Sequence, residues 1–257
     1  MPDFKFYHAP SPVEGSPHVM IATPANNLHG NYVASIARAL PLVMGSGIAI
    51  DHFLLMGCVH VDDARNICVR AFLDTNCEAL VFIDADVGFP PEALARLSVL
   101  MGDVVAGVYP RKEYPPSWPF KTEPGVTLQA GEDGVVRNGI LGLPTGFMKI
   151  SRRVLEGMAG KAYLDGNCFD PVGVGAGKVP VIFERGLMGG ERASGDIAFC
   201  FKAREMGFEI AMDPTLPFTH AGEVNFGGRL LDHLTAPPAE ESNTDGERVP
   251  EEPLSAE

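Results

Sequence analysis

Two aspartates one residue apart, Asp84 and Asp86, end the apolar run Ala79 to Ile83, and Gly88 and the pair Pro90-Pro91 follow at once. A short apolar run closed by turn residues reads as a buried strand. The carboxylates then fall at its C-terminal end, where open α/β sheets bind their ligands. Side chains at i and i+2 of an extended chain point the same way, so Asp84 and Asp86 could share one hard cation, whose natural ligands are oxygens. The same pair could equally be solvated punctuation of a turn, because Asp-x-Asp is a common dipeptide spacing.

Two further polar clusters could meet this pair. Ser194-Gly195-Asp196 opens an amphipathic stretch, and Thr219-His220-Ala221-Gly222 follows an apolar one. Each also has a plain reading. A carboxylate near a helix N-terminus stabilises it by a few tenths to about 1 kcal/mol. A histidine in a loop flanked by Pro and Gly is most often a surface residue.

The elements that would position these residues follow from the apolar pattern. Residues 1–17 are rich in Pro, Ser and Gly and are expected to be an irregular lead-in. His18 to Thr23 is a first strand, ended by the turn residues Pro24-Ala-Asn-Asn27. Val33, Ile36, Ala37, Leu40 and Val43 fall at helical spacing, and Gly45-Ser-Gly47 closes that helix. Ile48 to Met56 is a second strand. A helix opens near Val61 with Asp62 or Asp63 as expected N-cap. After the Asp pair, Pro90-Pro91-Glu92 starts a third helix, and Asp103 to Tyr109 is a further strand. The order β-α-β-α-β-α-β implies an α/β fold with a mostly parallel central sheet and helices on both faces.

Beyond Pro110 the pattern changes. Residues 110–142 read as a loop and hairpin excursion, Thr145 to Ser151 as a strand, Arg152 to Met158 as a short helix, and 159–180 as a long Gly-rich loop. A short strand near Val179, a helix over Ser194 to Met206 and a strand over Phe208 to Met212 complete the core, with His220 expected in the loop Pro214 to Gly222. No internal repeat is evident.

Composition bounds the function. The chain has 257 residues, 46% hydrophobic and 21% charged, enough for one sizeable core. Its net charge of −13 is uneven: residues 236–257 carry −6, leaving −7 for the rest. That acidic, Pro- and Ser-rich tail is expected to stay disordered. An acidic body argues against nucleic-acid binding, which needs a basic face. The five cysteines are scattered with no C-x-x-C, so neither structural zinc nor a disulfide framework is expected, and free thiols in a reducing cytoplasm are. No signal peptide or membrane span is expected, since the most apolar stretch, Pro41 to Val59, is interrupted by Gly45, Gly47, Asp51 and His52.

Five stretches carry a resemblance: Ile21-Ala-Thr23-Pro24, Asp63-Ala-Arg65-Asn66, Leu80-Val-Phe-Ile-Asp84-Ala-Asp86, Leu143-Pro-Thr-Gly146-Phe-Met-Lys-Ile150, and Ser194-Gly-Asp196-Ile-Ala-Phe-Cys200 leading to His220-Ala-Gly222. In that order they resemble the nucleotide-sugar-dependent glycosyltransferases of the GT-A fold, most of all the compact family-2-like proteins of bacteria and phages, over roughly residues 18–228. The resemblance implies one domain, residues 18–235, with a nucleotide-binding half at 18–109 and an acceptor half at 110–235. It implies Thr23 and Pro24 beside the base, and Arg65 reaching the diphosphate or the base with Asn66 close by. Asp84 with Ala85 would lie at the ribose, and Asp84, Asp86 and His220 would hold Mn2+ or Mg2+. Asp196 would be the general base. The donor would be a UDP- or GDP-linked sugar, and the acceptor a glycan, a lipid-linked molecule or a protein; a DNA acceptor lacks a basic patch. Many inverting relatives carry an acidic residue where this chain has Gly195, which leaves Glu191 and Glu223 as reserve bases.

Other readings fit less well. A haloacid-dehalogenase-like phosphatase would place its Asp pair on the first strand, with Thr where Gly88 stands. A sugar nucleotidyltransferase would need a Gly-rich, Arg-containing loop after the first strand. No G-x-G-x-x-G supports a dinucleotide-dependent oxidoreductase. Gly173-Val-Gly-Ala-Gly177-Lys178 lacks the first Gly and the Ser/Thr of a P-loop and reads as a loop over the donor. A binding module that keeps the nucleotide site without transfer activity is the non-enzymatic alternative.

Overall fold

The computed structural model describes residues 3–9, 14–171, 177–188, 190–222 and 225–235. The first half comprises β1 (Asp3–Tyr7), β2 (His18–Ala25), α1 (Gly30–Gly45), β3 (Ala49–Met56), α2 (Val61–Leu73), β4 (Ala79–Ile83), β5 (Val87–Gly88), α3 (Pro91–Val99) and β6 (Val104–Gly107). Then come β7 (Lys121–Thr122), β8 (Ile140–Gly142), β9 (Phe147–Ser151), α4 (Arg152–Leu164), β10 (Cys168–Phe169), β11 (Val179–Pro180), β12 (Gly186–Met188) and β13 (Glu191–Ala193). α5 (Gly195–Glu205), β14 (Ile210–Asp213), β15 (Pro217–Ala221), β16 (Asn225–Arg229) and α6 (Leu230–Thr235) close the described chain.

Seven strands form the central sheet in the order β1-β3-β2-β4-β9-β6-β14. β3, β2, β4, β6 and β14 run the same way, while β1 and β9 run against them. The sheet is therefore mostly parallel, as the alternation of elements predicts. Alternating side chains of the middle strands feed two cores. Met20, Ala22, Leu80 and Phe82 pack with Ala64, Val154 and Phe199 of α2, α4 and α5 on one face. Val19, Ile21, Val81 and Ile83 pack with Ile36 and Leu94 of α1 and α3 on the other. Because β4 is covered on both faces, all five of its residues are buried, which is why its sequence is a continuous apolar run.

The structure corrects several expectations. Residues 3–7, expected to be irregular, form β1, which pairs antiparallel with β3 while Phe4 and Phe6 pack on the Phe53 ring. The N-cap of α2 is His60, and Asp62 and Asp63 lie inside its first turn. α4 continues to Leu164 because Met158, Ala159 and Ala162 keep its apolar face on the sheet, which offsets the helix-weakening Gly157 and Gly160. His220 lies on a strand, β15, paired antiparallel with β5, rather than in a loop. The acidic tail and residues 173–176 of the Gly-rich segment lie outside the described residues. No described helix is long and apolar enough to cross a membrane.

β9 carries one buried charge. Lys149 is 6% exposed, and its Nζ donates to the Leu100 carbonyl. Burial pushes the ammonium down to about 8. Between that value and the ordinary lysine value the unfolded chain binds more protons than the folded one, so this group makes stability rise with pH there. Lys149→Met should remove that rise and add about 2–3 kcal/mol of stability at neutral pH. Denaturant titrations of parent and variant from about pH 7 to about 10.5 check it, and parallel curves would refute it.

Candidate active site

The C-terminal ends of β2 and β4 and the N-termini of α2 and α5 converge at one edge of the sheet. Arg65, one turn into α2, is buried there at 3% exposure. Its Nη2 lies 3.4 Å from Asp84 Oδ2 and its Nη1 3.4 Å from Asp196 Oδ1. Burial alone would weaken the guanidinium, but Asp196 and Asp84 more than offset it and keep Arg65 charged. Arg65 is therefore a tie between the two carboxylates, with little surface left to reach a diphosphate. Asp196 also accepts a 3.4 Å hydrogen bond from the Thr145 amide.

Asp84 is held from three sides. Its amide donates to the Gly146 carbonyl at 3.0 Å, and its Oδ2 accepts from Tyr109 at 3.5 Å as well as facing Arg65. A Cβ at position 146 would stand 2.6 Å from Asp84 Oδ2 and 2.5 Å from the Tyr109 hydroxyl, so only glycine fits. Burial raises the Asp84 carboxyl above the usual carboxylate range. Its Oδ1 is buried and accepts no hydrogen bond.

Asp86 lies beside His220 and Lys112. Lys112 Nζ is 2.5 Å from Asp86 Oδ2, and His220 Nε2 is 3.4 Å from the same oxygen. Burial pushes the Asp86 carboxyl up, but His220 and Lys112 win and hold it at about 2. β15 brings His220 here: Ala221 donates its amide to the Asp86 carbonyl at 2.7 Å, and His220 sits opposite Val87. His220 Nδ1 donates to the Pro110 carbonyl at 2.9 Å, because a carbonyl can only accept. In the neutral ring Nε2 then turns a lone pair toward the Asp86 carboxylate, an arrangement completed by a proton or a cation.

These observations bear on the expected metal. The orphaned Asp84 Oδ1, the Asp86 carboxylate and the outward lone pair of His220 are a fitting donor set for a hard divalent cation. The three do not close into a ready cluster of ligand atoms within 4.8 Å of one another. Lys112 meanwhile supplies a positive charge to Asp86. The residues fit a cation that arrives with further oxygen ligands of its own, as a diphosphate would bring.

The remaining expected contacts divide. Pro24, Asp84, Ala85 and Asp86 line one open cleft of about 290 Å³ together with Asn26, Asn27, His29 and Val61. Thr23 is fully buried, with its hydroxyl 2.8 Å from that of Tyr32, and does not face the cleft. Asn66 is also withdrawn. Its Oδ1 accepts from the amides of Ile182 and Phe183 at 2.9 and 2.8 Å, and its Nδ2 donates to the Phe183 carbonyl at 2.8 Å. Asn66 thus fastens residues 182–183 to α2. Trp118 packs against the ring of His233, 4.6 Å away, whereas Tyr114 is 92% exposed. Glu191 is exposed and paired with Lys121 at 2.8 Å, and Glu223 lies outside the described residues.

Sequence reasoning missed Asp62. A Cβ built at Gly195 would collide with the Asp62 carboxylate, so the place of a side chain at 195 is filled from α2. Asp62 Oδ2 lies 3.5 Å from Arg185, and burial, with Asp196 and Asp63 nearby, raises its carboxyl despite Arg65 and Arg185. Asp62 and Arg185 line a second cleft of about 540 Å³ that shares Val61 with the first. The sequence signal was available in Asp62, one helical turn before Arg65, but only the fold sets it against Gly195.

The sequence matches no protein-family profile and no curated protein. Among solved structures, one similar chain is described as a glycosyltransferase involved in the glycosylation of the major capsid of PBCV-1. It is 12% identical with a TM-score of 0.32, and the match covers 55% of this chain and 62% of that one.

Removing the Asn66 amide would leave two buried N–H groups without acceptors. Asn66→Ala should cost about 2–4 kcal/mol. Chemical denaturation reads this directly, and a loss under about 0.5 kcal/mol would contradict the fastening role.

Proposed function

We propose that this chain is a nucleotide-sugar-dependent glycosyltransferase of GT-A organisation, dependent on Mn2+ or Mg2+. The observation that carries this reading is the run of four carboxylates, Asp86, Asp84, Asp196 and Asp62, spanning two adjoining clefts and tied in its middle by a buried arginine. In this reading the cleft lined by Pro24, Ala85 and Asp86 takes the nucleoside diphosphate. The cleft lined by Asp62 and Arg185 takes the acceptor.

Asp84, Asp86 and His220 would hold the divalent cation, whose chemistry is to offset the charge that develops on the leaving diphosphate. Lys112 is placed to add a second positive charge there once it leaves Asp86. Asp196 Oδ takes the proton of the acceptor hydroxyl as that oxygen bonds to the anomeric carbon and the bond to the diphosphate breaks. Arg65 orients Asp196 through the contact of its Nη1 with Asp196 Oδ1. Asp62, beside Gly195, supplies the second acidic group that inverting relatives carry in sequence. The exposed Tyr114, two residues from Lys112, offers an aromatic face to a sugar ring. The acceptor belongs to the hydroxyl-bearing glycan, lipid-linked or protein classes.

Calorimetry with UDP, GDP and their sugars in Mn2+ tests the donor site. Asp86→Ala should abolish the metal-dependent part of binding, and unchanged affinity would remove the assigned site. Asp196→Asn should keep donor binding and lose roughly 10²-fold or more in turnover, the usual contribution of a general base. Unchanged turnover would move that role to another group, with Asp62 tested next by Asp62→Asn. Donor binding without hydrolysis or transfer to any acceptor class would leave the chain a binding module.

A further inference from the structure

At the opposite, N-terminal edge of the same three parallel strands stands a cluster that the proposed activity does not use. His18 opens β2, Asp51 lies on β3, and Cys77 precedes β4 by two residues. One ligand atom of each lies within 4.8 Å of the other two. His18 Nε2 is 3.2 Å from Asp51 Oδ1, Cys77 Sγ is 3.6 Å from Asp51 Oδ2, and His8 Nδ1 is 3.2 Å from that same oxygen. Asp51 is 3% exposed and Cys77 is fully buried.

We propose that His18, Asp51 and Cys77 form a structural site for a zinc-type divalent cation, with His8 as the closing ligand. Three observations support it. With metal–ligand distances of about 2.0–2.3 Å, neighbouring ligands of a tetrahedral zinc stand about 3.3–3.8 Å apart, close to the 3.2–3.6 Å between each of the other ligand atoms and an Asp51 oxygen. His18 Nε2 is buried and lies 3.2 Å from Asp51 Oδ1 without an aligned hydrogen bond, so a ring nitrogen is aimed into the cluster. The set of thiolate, carboxylate and imidazole also balances charge, since one doubly charged cation cancels Cys77 and Asp51 and leaves nothing uncompensated in the interior.

The cluster is held in advance. Arg152 donates to the Cys77 and Thr75 carbonyls at 2.7 and 2.8 Å and lies over the Phe72 ring at 4.4 Å. The Glu78 amide donates to the His18 carbonyl at 2.7 Å, and the Ala9 amide to Asp51 Oδ1 at 2.7 Å. His18 and Asp51 therefore stand on strands, and Cys77 stands in the turn before β4 that Arg152 clamps. His8 is exposed, on the segment leading out of β1, and would close the site by a side-chain rotation. Burial pushes the Cys77 thiol up to about 12, so binding would release its proton to solvent. The cation would staple β1 to the sheet.

The test uses the full chain carrying Asp86→Ala, so that cation binding at the other edge does not interfere, stripped with chelator under reducing conditions and titrated with Co2+. One equivalent should produce the near-ultraviolet absorption of a cobalt–thiolate bond, and Zn2+ should abolish it. Cys77→Ser should lose the band, and Cys58→Ser should keep it. Hydrogen exchange should show residues 3–9 slowed by Zn2+. A folded chain without the band, or a band that survives Cys77→Ser, overturns the proposal. If Cys77→Ser fails to fold, the parent spectrum and the Zn2+ effect on residues 3–9 decide it. Neither result depends on the nucleotide reading.

Discussion

A buried guanidinium organises this protein's candidate site. Arg65 is cut off from water and is tolerable in the interior only because Asp84 and Asp196 accompany it. Those partners come from distant parts of the chain, one at the end of β4 and one at the start of α5. Their shared dependence on Arg65 fixes the end of a central strand against the start of a helix. The constraint propagates: Gly146 must lack a side chain for Asp84 and Tyr109 to approach, and Gly195 must lack one for Asp62 to lie beside α5. Gly146, expected within a strand, and Gly195, expected at a helix start, are thus required by carboxylates from other elements.

The sheet offers different chemistry at its two ends. At the C-terminal ends of β2 and β4 the donors are carboxylate oxygens with one imidazole, partly open to solvent and beside two clefts. At the N-terminal ends a thiol, a carboxylate and the His18 imidazole are packed with little access, and only His8 is exposed. Hard oxygen donors beside a cleft suit a cation that shares its shell with a bound ligand. Soft and borderline donors in a closed cluster suit one that stays. Parallel strands make the separation possible, because each of β2 and β4 sends one end to each edge.

Much of the fold was legible because it rests on local pattern. The apolar run of β4, the Pro-Pro-Glu start of α3 and the helical spacing of α1 each encode their element within a short stretch of chain. β1 was not legible: Asp3–Tyr7 is a strand because β3 offers an edge and Phe53 a surface, neither visible from residues 1–17. His220 was picked out as a residue but assigned to a loop, since the strand it occupies is created by pairing with β16 on one side and with Val87 and Gly88 on the other. Asn66 looked like a ligand-facing neighbour of Arg65. Consecutive helical residues point in different directions, and Asn66 turns to the backbone of residues 182–183.

By itself the sequence determined the alternation of strands and helices, the C-terminal position of Asp84 and Asp86, and the helix start that bears Asp196. These follow from side-chain period and turn chemistry, which act over a few residues. Only the tertiary structure decided that Arg65 is a tie instead of an exposed ligand contact, that Asp62 fills the space at Gly195, and that His18, Asp51 and Cys77 meet. Those facts depend on which side chains from separated segments compete for the same buried volume, and burial changes the energy of a charge far more than its neighbours in sequence do.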